Sequence, residues 1–125
     1  MSDSRIESDN ASLYAKPMNV NNLTHEQLDY WVARAKNIAL SPQPGGNGYL
    51  YSPHPDMAAR RWAPSRYWSQ GGPIIEETHI DLIWDWETTS QWSASLEPDI
   101  NTQGKTALEA AMKAFIISQL GEDVG

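Results

Sequence analysis

The 125-residue sequence predicts an α+β domain: a small antiparallel sheet, two main helices packed on one face, and a long irregular segment rich in proline, glycine and aromatic residues. Three observations predict it. Two stretches open on helix-start signals and continue with apolar residues at helical spacing. Residues 80–96 instead alternate apolar and polar side chains with a period of two. The resulting order of helix, irregular strands, hairpin and helix is that of an α+β chain.

Taken in order, residues 1–17 read as a polar, solvated extension with only Ile6, Leu13 and Tyr14 isolated in it, and residues 18–125 as one domain. Met18 and Val20 suit a short edge strand. Thr24 and Gln27 form a capping box, and Leu23 and Leu28 stand where a hydrophobic staple would join. Leu28, Trp31, Val32, Ala35 and Ile38 make one apolar stripe, which predicts a helix over 25–39, stopped before Pro42. Residues 41–73 hold six of the eight prolines and five of the eight glycines, with a short strand expected at Gly48–Tyr51. So long a loop in a compact domain is functional or disordered, and its aromatic residues argue against disorder. Gly71-Gly72-Pro73 reads as a turn that starts a strand at Ile74 and Ile75. Ile80, Leu82, Trp84 and Trp86 alternate with Asp81, Asp85 and Glu87, as in a half-buried strand with a wet acidic face. After a turn at Thr88–Gln91, Trp92, Ala94 and Leu96 return as the second hairpin strand. The last helix is expected over Thr106–Leu120, with Thr106 and Glu109 as its capping box and Gly121 closing it. Its apolar breadth predicts packing on the sheet and a contact with a partner subunit.

Composition narrows the function. Sixteen acidic against nine basic residues give a net charge of −7, which speaks against general DNA or RNA binding. The absence of cysteine removes disulfides, thiolate metal sites and cysteine nucleophiles. No apolar run approaches the ~20 residues that span a bilayer, and the polar stretch Met1–Asn10 is not expected to serve as a signal peptide. The cytosol is the expected compartment.

Three segments carry a family resemblance. They are Leu23-Thr24 with Leu28-Asp29-Tyr30-Trp31-Val32-Ala33-Arg34-Ala35; Tyr51-Ser52-Pro53 with Trp68-Ser69-Gln70-Gly71-Gly72-Pro73-Ile74-Ile75-Glu76; and Gly104-Lys105-Thr106-Ala107-Leu108 with Ala110-Ala111-Met112. Together, over roughly residues 18–121, they resemble the phage NinX-like proteins. The resemblance implies a phage accessory protein acting in the host bacterial cytoplasm, and it implies no reaction. The N-terminal extension and the insertion-like stretch Met57–Arg66 depart from that pattern.

The most suggestive stretch for a site is 57–68. Arg60, Arg61 and Arg66 lie there with no acid between them, interleaved with Trp62, Tyr67 and Trp68. Guanidinium forks bind phosphate bidentately, and flat rings stack on bases. Ser69, Gln70, Gly71, Gly72 and Tyr51 complete a candidate pocket for a small anionic, nucleotide-like ligand. The competing structural reading makes Trp62 and Trp68 core anchors with arginine stems laid over them. Glu76, Glu77, Asp81, Asp85 and Glu87 suit a solvated face, and His25, His54 and His79 have no metal-ligand spacing. No Walker loop, Gly-x-Ser-x-Gly or dinucleotide fingerprint is present.

The expected function is therefore a non-enzymatic phage accessory protein, without catalytic residues, metal or cofactor, that binds a nucleotide-like ligand and so sequesters a host defence signal. The alternative is a protein–protein module that inhibits or redirects a host protein. A third reading, a small hydrolase or nuclease using Asp81, Asp85 and Glu76 with Mg²⁺, has the weakest support. No membrane association is expected, and a homo-oligomer is.

Overall fold

The computed structural model describes residues 17–87 and 90–125. The extension expected over 1–17 therefore lies, Pro17 apart, outside the described residues, as do Thr88 and Thr89 of the expected turn. In chain order the elements are β1 (Met18–Asn19), a 3-10 turn (Val20–Asn22), α1 (His25–Lys36), β2 (Ser41–Pro42), β3 (Tyr49–Tyr51), β4 (Arg60–Trp62), α2 (Trp68–Thr78), β5 (Asp81–Asp85), β6 (Gln91–Leu96), β7 (Ile100–Gly104), α3 (Ala107–Leu120) and β8 (Asp123–Val124). This is the expected α+β class, with three helices and three small antiparallel sheets among the described residues: β1 with β8, β2-β3-β4, and the meander β5-β6-β7.

Helix α3 is the centre. Nine of its residues, from Ala107 to Ile116, are buried on every side. A helix apolar all round has no wet face and must be enclosed. Helices α1 and α2, strands β6 and β7, and the 3-10 turn all pack on it. Ala110, Ala111 and Ala114 let them approach closely, while Leu108, Met112, Phe115 and Ile116 fill the gaps. Its breadth from Ala107 to Ile116 is thus taken up within one chain. Leu28 and Val32 of α1, Ile74 of α2 and Ala94 of β6 complete the core, each large aliphatic contributing about 1.5–3 kcal/mol. The buried end of β7 lies so near α3 that a Cβ on Gly104 would stand 2.7 Å from Ala110 N.

The start of α1 is as the sequence predicts: Thr24 Oγ1 accepts from Gln27 N–H, and Gln27 Oε1 accepts from Thr24 N–H. Its end comes earlier than 39. Asn37 takes the left-handed conformation (φ 58°), and Ile38 N–H reaches back to the Ala33 carbonyl. That closure stops the helix well before Pro42. Helix α3 begins after Thr106, whose side chain accepts from Glu109 N–H. The Glu109 carboxylate accepts from Lys105 N–H instead of closing the box on Thr106.

Two strand expectations are corrected. Ile74 and Ile75 belong to helix α2, which runs straight through Gly71-Gly72-Pro73. Gly71 is a packing glycine: a Cβ there would lie 2.6 Å from Leu108 Cδ2 and closer still to the Pro64 carbonyl oxygen. Like α1, α2 ends on a left-handed residue without glycine, His79 (φ 60°). The second correction concerns β5. It pairs with β6 in the expected alternating register, Trp84 opposite Trp92 and Leu82 opposite Ala94. Yet Trp84 remains 45% exposed and Trp86 68%. Helix α3 lies over β6 and β7, so the outer strand overhangs the cover.

The strand expected at Gly48–Tyr51 is β3, whereas its two neighbours β2 and β4, and strand β7, were not expected. Their residues lack alternation (Ile-Asn-Thr-Gln-Gly) or are too short to show it. Between β3 and β4, residues 52–59 are all exposed. The ends of that loop, Tyr51 and Arg60, stand opposite each other in the sheet.

Adjacent glycines give a sharp test. Gly71→Ala drives a methyl group into backbone and should cost about 1–3 kcal/mol. Gly72→Ala meets only the Trp68 ring at an ordinary 3.8 Å and should gain up to ~1 kcal/mol of helix propensity. Urea denaturation of both variants checks the opposite signs.

Candidate functional site

The residues expected to form a binding site fall into two groups. The first is built into the framework. The Trp62 indole is 4% exposed; its Nε1 donates to the Asp29 carbonyl of α1 at 2.8 Å, and its ring meets Tyr51 edge-on at 4.8 Å. Gln70 reaches back from α2 to β4: its Oε1 accepts from Ala63 N–H (2.6 Å) and its Nε2 donates to the Arg61 carbonyl (2.7 Å). Gly71 seats α2 on Pro64 and Leu108. The polar groups of Trp62 and Gln70 are thus satisfied inside the protein.

The second group lies on the surface. Tyr67 and Trp68 open helix α2, and the Trp68 indole is 56% exposed. Ser69 is exposed beside it, and Gly72 lies under the Trp68 ring. Tyr67, at the cap position, makes no side-chain hydrogen bond to the helix, so the first N–H groups of α2 lack a side-chain acceptor. The arginines do not gather there. Arg60 is exposed on β4. Arg61 lies beside Gly48 of the neighbouring hairpin, with its Nε buried and unpartnered. Arg66 pairs with Glu26 of α1 at 3.4 Å, an exposed contact of about 0–1 kcal/mol.

What holds this region together is a polar knot that the sequence did not single out. Asp29 and Ser65 are buried. Asp29 Oδ1 accepts from Ser65 N–H at 2.9 Å, and Ser65 Oγ lies 3.0 Å from His25 Nδ1. Burial pushes the Asp29 carboxyl up to about 6, opposed by the Ser65 hydrogen bonds and by the charges of Arg66 and His25. The serine, histidine and carboxylate hold the turn 63–66 against α1. Ser65, almost wholly buried, offers no access to a substrate. The one available signal was an aspartate set between Leu28 and the apolar residues of α1.

The surface also carries open clefts. One of about 600 Å³ lies between the end of α1 and β3, lined by Ile38, Leu40, Leu50, Tyr51 and Pro53. Another of about 570 Å³ is polar, lined by Asn21, Asn101, Gln103 and Lys113 among others. Of the expected site residues, only Tyr51 enters either. Among the described residues no three His, Cys, Asp or Glu side chains stand where they could share a metal ion, and no helix is long and apolar enough to cross a membrane.

A family model described as Bacteriophage P22, NinX matches residues 19–119. The chain belongs to this NinX family. It is thereby a phage accessory protein. The match spans the ordered core from β1 to the last turn of α3, so the polar knot and the Trp68 helix start both fall inside it. No curated protein matches the sequence.

The raised Asp29 value sets a pH test. A carboxyl raised from an ordinary value of 3.8 to about 6 contributes stability that is complete below pH ~4 and lost as pH rises through ~6. Asp29→Asn keeps an acceptor for Ser65 N–H and cannot ionise. Between pH 4 and 7.5 the wild-type chain should lose roughly 2–3 kcal/mol relative to this variant. Paired urea melts at the two pH values measure it; a difference that does not move with pH refutes the assignment.

Proposed function

We propose that this phage accessory protein works in the host cytoplasm by binding a host protein, with no chemistry of its own. One observation carries the reading. A domain whose central helix is buried from Ala107 to Ile116 save Glu109 nevertheless leaves Tyr67, Trp68, Ile83, Trp84 and Trp86 in solvent. Large exposed aromatic side chains mark contact surfaces, and tryptophan and tyrosine are the usual energetic anchors of protein interfaces. A closed ligand pocket has less support, because Trp62, Gln70 and Gly71 serve packing, Arg61 lies beside Gly48 and Arg66 pairs with Glu26.

A second reading, the small nucleotide-like anion, keeps one specific observation in its favour. The start of α2 lacks a side-chain cap and carries Trp68 and Tyr67 as exposed rings next to Arg66. Calorimetry against cyclic nucleotides and ADP-ribose derivatives addresses it: binding weakened at least about tenfold by Trp68→Ala would support the small ligand, and absence of heat across the panel would remove it.

For the protein partner, the tagged chain expressed in host cells should recover one partner in fixed stoichiometry. The complex should re-form from the two purified proteins. Trp68→Ala or Trp86→Ala should weaken it at least about tenfold, with the melting temperature of the free chain unchanged. If the purified pair does not associate, or both variants bind like wild type, the reading fails.

A further inference from the structure

The meander β5-β6-β7 has two outer strands, and they are treated differently. The β7 side is guarded by a lysine: Lys113 Nζ, reaching over from α3, donates to the Gln103 carbonyl at 2.9 Å. The β5 side pairs with β6 alone; among the described residues no strand lies beyond it. An unpaired strand edge presents a row of N–H and C=O groups, and proteins blunt such edges with lysine, proline, bulges or a covering element. The β5 sequence Asp-Leu-Ile-Trp-Asp contains no lysine and no proline, and its five-residue register with β6 runs one to one without a bulge. Its apolar side chains are in the open: Ile83 is 62% exposed on one face, with Trp84 on the other and Trp86 just beyond.

Charge decides what fits there. Residues 81–87 carry Asp81, Asp85 and Glu87 and no lysine or arginine. Two copies of this strand laid edge to edge would bring carboxylates against carboxylates, a pairing that like charges disfavour. A basic strand meets the complementary sign. A shallow cleft of about 360 Å³ beside the strand, lined by Ile83, Trp86, Glu87 and Ser93 among others, offers an apolar wall for the stem of a lysine or arginine and a carboxylate for its head.

We infer that the free edge of β5 takes up an extended, basic segment of another protein as a fourth strand, with its aliphatic side chains on the face of Trp84 and Trp86, and its cations on the opposite face, their stems on Ile83 and their heads toward Asp81 and Glu87. Main-chain hydrogen bonds along the ~16 Å of β5 supply the affinity, and the alternating side chains supply the selectivity. This rests on the protein-binding reading above and adds the place and the chemical class of the partner.

Three synthetic decapeptides test it on the full chain: alternating lysine and valine, alternating glutamate and valine, and the lysine–valine peptide with proline at alternate valines. The lysine–valine peptide should bind saturably and slow amide exchange at residues 81–85 by at least about fivefold. The glutamate peptide should bind at least about tenfold more weakly, and the proline peptide, which cannot donate along a ladder, likewise. Asp81→Lys with Glu87→Lys, checked for an unchanged melting temperature, should erase the preference for lysine. Equal binding of the first two peptides overturns the inference. So does protection away from β5, absence of binding, or self-association of the chain through this strand in sedimentation. Should the peptides fail while Trp68→Ala still weakens a reconstituted complex, the edge assignment falls and the protein-binding reading stands. If the reconstituted complex fails as well, both fall.

Discussion

A helix without a wet face constrains everything around it. Because α3 is apolar almost all round, its eight buried apolar residues gain by burial only if neighbours arrive from every direction. One sheet covers one side, α1 and α2 cover others, and the 3-10 turn and β8 close the remaining end. The one buried ammonium among the described residues obeys the same constraint: Lys113 is admitted where Glu109 (3.4 Å) and the Gln103 carbonyl meet its charge. In return, Lys113 and the Lys105 N–H hold Glu109 below the usual carboxylate range, against the opposing effect of burial.

Enclosing α3 also dictates what reaches the surface. To cover α3, α2 must be anchored at its start, and the anchor is the knot of Asp29, Ser65, Trp62 and Gln70. That knot buries one tryptophan and turns the chain so that the next, six residues on, faces outward. At the other margin the sheet is wider than the helix that covers it, so β5 overhangs with Ile83 and Trp84. Both exposed aromatic regions are thus by-products of covering one helix, and both belong to the same phage-family domain.

Much of this was legible beforehand. Thr24 with Gln27, and Thr106 before its apolar run, announced two helices because a cap is a local hydrogen-bond arrangement that spacing reveals. The alternation from Ile80 to Leu96 announced the hairpin for the same reason. Helix α2 was hidden because a glycine that permits a turn and a glycine that permits close packing are the same letter; only Pro64 and Leu108 across the gap tell them apart. The early end of α1 was hidden because Asn37 does the work usually given to glycine. For the candidate site, Trp62 and Trp68 carried equal promise in the sequence. Which of them is enclosed depends on the Asp29 carbonyl, thirty-three residues away in the chain. Exposure of Trp84 depended likewise on the width of a helix relative to a sheet, which no local pattern encodes.

The loop over residues 52–59 has a different kind of consequence. Its termini are fixed by a rung of the β3–β4 ladder, and none of its side chains enters the interior. Doubling its length would cost only ~0.6 kcal/mol of closure entropy. Variation in this hairpin tip is therefore nearly invisible to folding, so a lineage can rewrite it freely while the framework stays unchanged. The same tolerance makes it the natural place to graft an epitope or a fluorescent label.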